Sequence, residues 1–147
     1  MSGLYEKSLL KLELDQVLQL LADCAGSFGG KEACLQVRPS SDLDDVNGML
    51  AQTTAASDLC TKKGNPVFGD VTDVSASLER ADRGGALNPE GLLRIAGTLR
   101  CARTVKGYTA EDEAATVLDG MFMSLSANKY LEDKIFGAIL SEEEIAD

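Results

Sequence analysis

The chain has 147 residues, of which 44% are hydrophobic, 26% charged and only 5% aromatic, with three prolines and no tryptophan. It has a net charge of −10, four cysteines and no histidine, which excludes His-based acid–base catalysis and Ser/His/Asp or Cys/His nucleophilic sites. This length suits one domain with a real core, and the composition suits helices packed through Leu, Ala, Ile and Val.

The charge is unevenly placed. Residues 109–147 carry two basic and ten acidic side chains, whereas between Leu78 and Tyr108 six basic residues face three acidic ones. An acidic tail argues against general nucleic-acid binding, while a local basic segment stays open. Cys24, Cys34, Cys60 and Cys101 form no CxxC pair, so no metal site is expected, and each is read as a small buried hydrophobe in a helix. No signal peptide and no membrane-length apolar run are present, which predicts a reduced, cytoplasmic protein with no membrane partner.

In chain order, Leu4 to Ala25 reads as one broken or two successive amphipathic helices, with Glu13 and Asp15 favouring a fresh start near Leu14. The next segment, AGSFGGKEACLQVRP, invites comparison with a phosphate loop. Ala25 stands where the leading glycine belongs and Glu32 where the metal-binding Ser or Thr belongs, so a nucleotide site is rejected. Ser27 capping a short helix that ends before Pro39 is the better reading. Arg38 to Asp42 is a turn between helices. Ser41 or Asp42 caps the next helix, which has Asp44 and Asp45 first and Lys62 and Lys63 last, as the helix dipole favours. Its predicted buried face runs through Leu43, Val46, Leu50, Thr53 and Ser57 towards Cys60. These acids lack calcium-loop spacing.

Gly64 to Gly69 is a loop, with Phe68 expected in the core, and a short helix follows over about Asp73 to Asp82. The clearest helix start lies in Arg83 to Lys106. Gly84-Gly85 breaks the chain, Asn88 is the N-cap, Pro89 suits the first turn and Glu90 adds a negative charge. Leu92, Ile95, Ala96, Leu99 and Ala102 form its apolar stripe. Arg103 and Lys106 are read as meeting their own helix end or a neighbouring acid, with a phosphate contact as the competing reading. Thr109 to Asp112 starts another helix that buries Val117, Leu118, Met121, Phe122 and Leu125. Ser126 or Asn128 caps the last, which buries Leu131, Ile135, Ile139 and Leu140. Glu142-Glu143-Glu144 reads as a solvated face or frayed end. The stop at Asp147 without a closing cap predicts a piece of a longer protein.

Several segments, taken in order, resemble the bacterial MutS family of the second type. They are Leu12-Glu13-Leu14-Asp15, Arg38-Pro39-Ser40-Ser41-Asp42-Leu43, Pro66-Val67-Phe68-Gly69-Asp70-Val71, and Gly84-Gly85-Ala86-Leu87-Asn88-Pro89-Glu90-Gly91-Leu92-Leu93 followed by Ile95 to Arg100. The resemblance covers most of residues 5–108 and continues more loosely towards Asp147. It implies an all-α, irregular bundle of six to seven helices over residues 1–147, the N-terminal core and lever part of a dimeric ATPase. In such a parent, ATP and magnesium, a C-terminal small MutS-related nuclease domain, and branched DNA or collided ribosomes as partners would belong to the longer protein. No catalytic, cofactor or metal residue is assigned to this chain.

Three readings follow. The first is a non-catalytic module that transmits ATPase-dimer motion as rigid-body movement of packed helices, with the rest of the parent chain as its partner. The second is a stand-alone interaction or self-association module. The third is direct nucleic-acid contact through Arg80, Arg83, Arg100 and Arg103, with Arg94 pointing away from Arg103.

Overall fold

A computed structural model describes residues 11–68, 71–109 and 115–139. Among them the chain forms seven α-helices and a 3-10 turn: α1 (Leu14–Asp23), α2 (Phe28–Leu35), α3 (Leu43–Lys63), α4 (Ser75–Asp82), α5 (Pro89–Lys106), the turn Gly107–Thr109, α6 (Asp119–Ser124) and α7 (Lys129–Ala138). The fold is all-α. None of the described helices is long and apolar enough to cross a membrane.

The starts of these helices are set by local chemistry. Ser27 accepts a hydrogen bond from Gly30 N, Asp42 from Asp44 N and Asp45 N, Asn88 from Gly91 N, and Asn128 from Leu131 N. Each side chain satisfies amides that the first helical turn leaves unpaired. Helix α1 starts at Leu14, but Glu13 offers no side-chain cap and instead takes a left-handed conformation with φ of 53°. For a residue bearing a Cβ that conformation is strained. Helix α6 starts later than the sequence suggests. Thr116 Oγ1 donates to Asp119 Oδ1 at 2.8 Å, and Asp119 Oδ2 accepts Thr116 N at 3.0 Å. Thr116 donates both bonds and Asp119, the first residue of α6, accepts both, a local tie that was not read from the sequence. The start expected at Thr109 to Asp112 falls partly outside the described residues, and Thr109 itself closes the 3-10 turn.

The sequence reading takes residues 1–147 as one helical domain, while contacts group the chain into two compact units divided after Pro39. In the first, α1 packs on α2. Leu18 and Ala22 are buried four residues apart on one face of α1. In the second, α5 packs along α7 and touches α6. Its core is Ala96, Ile135 and Ile139, surrounded by Leu92, Leu93, Ile95 and Phe136. Ala96 lets the two helices approach closely, and the isoleucines fill the space opposite it. Burying an isoleucine side chain contributes about 1.5–3 kcal/mol.

Several apolar side chains expected inside lie outside. Phe68 is 38% exposed and Leu43 71%; Leu50, Val117, Met121 and Leu131 are also exposed. Helical spacing marks a stripe but does not supply a partner helix, and α3 has little packed along it. Cys101 is buried as expected, Cys34 and Cys60 are half-buried, and Cys24, at the open end of α1, is exposed. Leu9, Leu10, Leu140 and Glu142 to Glu144 lie outside the described residues.

Candidate functional site: the arginines of the central helix

Arg100 and Arg103 are one turn apart on α5 and face α7, where Glu132 and Phe136 are one turn apart in turn. Arg103 donates from Nε to Glu132 Oε2 and from a terminal nitrogen to Oε1, both at 2.9 Å, a bidentate pair. The Nε of Arg100 approaches the same Oε1 at 3.4 Å. Its guanidinium carbon lies 3.9 Å from the centroid of the Phe136 ring, within cation–π range.

Glu132 is 3% exposed, whereas both arginines keep a wet side. A carboxylate out of water is costly unless its oxygens are paired, and here both are. The hydrogen bonds from Arg103 hold the Glu132 carboxyl below the ordinary carboxylate range against the opposing effect of burial, and Arg100 adds to the lowering. The same pairing raises the Arg103 guanidinium. One carboxylate therefore faces two guanidiniums, a charged layer directly beside the Ala96–Ile135–Ile139 core. Further along α5, Lys106 donates to Leu125 O at 2.8 Å and ties the helix end to the exit of α6.

The other two candidates lie on a different element. Arg80 is in α4, and Arg83, just past its end, pairs with Glu79 at 3.2 Å in a mostly exposed contact. Arg94 pairs with Glu90 one turn back on α5. The structure thus joins Arg100 and Arg103 through Glu132, and leaves Arg80 and Arg83 in separate local contacts. The sequence reading missed Glu132 and Phe136. Their signal was available, since Glu132, Ile135, Phe136 and Ile139 recur at helical spacing and place an acid on an apolar stripe.

The glycine-rich run before α5 has a structural basis. Gly84 has φ of 78°. A Cβ on Gly85 would lie 3.0 Å from Arg80 O and 2.8 Å from its Cγ. A Cβ on Gly91 would meet Asn88 Oδ1 at 2.9 Å and Ser77 Oγ at 3.2 Å. The run therefore makes a close turn at the end of α4 and leaves Ser77 of α4 beside the capped start of α5. The segment after Ala25 is likewise accounted for locally. Gly30 N bonds Ser27 Oγ and Lys31 N bonds Ser27 O, so these amides serve α2 and do not fit a nucleotide's phosphates. Among the described residues no cluster of three or more Cys, Asp or Glu is placed to hold a metal ion.

No family model matches the chain. It is 41% identical over 145 residues to endonuclease MutS2 of Ruminiclostridium cellulolyticum and 36% identical over 146 residues to that of Acetivibrio thermocellus. It is also 36% identical over 145 residues to endonuclease MutS2 of Clostridium perfringens. Each match takes in 97% of this chain but only 18% of the relative, so the chain spans less than a fifth of the length of the curated relatives it matches. By sequence, the chain is similar along nearly its whole length to one part of the endonuclease MutS2 proteins.

Proposed function

We propose that this chain is a non-catalytic helical module from the N-terminal core and lever region of a MutS2-type protein, passing movement between an ATPase dimer and a clamp around nucleic acid or ribosome. The observation that carries this reading is the α5–α7 pair. Apolar packing on one side and the Glu132–Arg103–Arg100 layer on the other make it stiff and fix its register, as rigid-body transmission requires. In this reading ATP, magnesium and nuclease chemistry belong to other parts of a longer protein, as do the contacts with the partner subunit and with branched DNA or a collided ribosome. Arg100 and Arg103 hold the module together, and phosphate contact is left to other surfaces.

The test is ATP turnover and DNA cleavage by the purified 147-residue chain. Neither should rise above background, and measurable turnover would overturn the reading. A second reading, a self-associating interaction module, draws on the exposed Leu43, Met49 and Leu50 of α3. Size-exclusion chromatography with light scattering separates the two, since a strict monomer counts against self-association.

A further inference from the structure

We propose that Tyr108 is a releasable latch on the C-terminal end of α3, and that α3 turns about Gly64 when the latch opens. Helix α3 has 21 residues, about 32 Å at the usual rise. Along it Leu59 alone is buried, and Leu43, Met49 and Leu50 are exposed. Val46, Gln52 and Ala55 are half-buried, so the helix is most fully enclosed near its last turns, at Leu59.

There the chain returns from the end of α5. The Tyr108 hydroxyl lies between two acceptors, the carbonyl oxygens of Leu59, at 3.2 Å, and Gly64. It has one proton to give, so the two carbonyls share it. In return Lys63 Nζ donates to Tyr108 O at 2.9 Å and lies 5.7 Å from the centre of the tyrosine ring. The contact is reciprocal and polar, and the lysine side is open to water, the kind of contact that opens locally without global unfolding.

The two sides of the latch are held differently. The Tyr108 ring centre is 6.2 Å from that of Phe122 on α6, so the tyrosine stays with the α5–α6 side when its hydroxyl lets go. Beyond Gly64, Cys101 Sγ donates to Val67 O at 3.2 Å and pins the following segment to α5. Gly64, between the pinned segment and the helix, has φ of 80°, a conformation open to glycine and strained for other residues. A hinge thus adjoins a latch, with an exposed helix on the moving side. The inference does not depend on the activity of any longer protein.

The test is Tyr108→Phe in the full chain, which removes the hydroxyl and keeps the ring against Phe122. Amide hydrogen exchange by mass spectrometry should quicken about tenfold over residues 55–64, the size expected for losing a hydrogen bond of this kind. Residues 92–105 and 131–138 should keep their protection. Lys63→Met, which removes the reciprocal bond, should quicken the same segment. Spin labels at Ala51→Cys and Lys134→Cys, with Cys24, Cys34 and Cys60 replaced by alanine and the buried Cys101 kept for its bond to Val67, should give a single distance that broadens or shifts in Tyr108→Phe. Unchanged exchange in both variants would overturn the latch, as would equal quickening of α5 and α7. An unchanged distance distribution would overturn the hinge.

Discussion

Replacing Ile135 with alanine removes three carbons from the centre of the α5–α7 contact. Ile135 is 7% exposed and packs against Ala96, which is fully enclosed, and Ile139. At about 0.8 kcal/mol per buried carbon group, the lost transfer free energy is about 2.4 kcal/mol. The space left behind adds to this, because Ala96 is too short to fill it, giving a loss of about 2.5–4 kcal/mol. For a unit of this size the thermal midpoint should fall by roughly 10–25 °C. Helical circular dichroism during urea denaturation is the assay, since the chain has no tryptophan to report by fluorescence. Leu43→Ala is the control: Leu43 is 71% exposed, so its truncation should stay within about 0.5 kcal/mol of the parent. A loss under about 1 kcal/mol for Ile135→Ala, or an equal loss for both variants, would refute the placement of the core.

Three other outcomes are expected. The folded state holds the Glu132 carboxyl below its ordinary range, so its stabilisation is complete above the unfolded value of roughly 4.3 and is lost as pH falls through the lower folded value. Melting curves from pH 7 to pH 3 should therefore show a smaller acid loss in Glu132→Gln. Part of the slope should remain, since Asp73 is also lowered, by the backbone amide of Ser75. Gly91→Ala should destabilise by about 1–3 kcal/mol, as overpacking does, because its Cβ would collide with the Asn88 cap, and chemical denaturation measures this. Glu13→Asn should raise stability by roughly 0.5–1 kcal/mol by easing the left-handed strain at the start of α1, read as a higher denaturation midpoint.

Local features of the fold were legible in the sequence. Ser27 and Asn88 cap the helices they were read as starting, and Asp42 and Asn128 are the caps out of the pairs Ser41 or Asp42 and Ser126 or Asn128, because a cap needs only its own next three residues. The stripe of α5 was also legible, since Leu92, Ile95, Ala96, Leu99 and Ala102 are all buried or half-buried. Distant pairing was not. Leu43 and Leu50 carry the same spacing signal as Ala96 but are exposed, with none of the described helices packed along them. Phe68 looked like an anchor by size, yet its loop is tied down through the backbone of Val67. For the candidate site, the sequence offered Arg103 meeting a neighbouring acid and could not name the acid, because Glu132 lies 29 residues further along the chain.

The most direct measurement is a double-mutant cycle on the stability of Glu132→Gln, Arg103→Gln and the two together, with binding to branched DNA followed at two salt concentrations. A coupled clamp predicts that each single change destabilises, that the double variant loses little beyond the worse single one, and that DNA binding by the chain is absent or unaltered. Additive, near-neutral stability effects with a salt-dependent loss of DNA affinity in Arg103→Gln would contradict it, and would identify these arginines as a nucleic-acid contact.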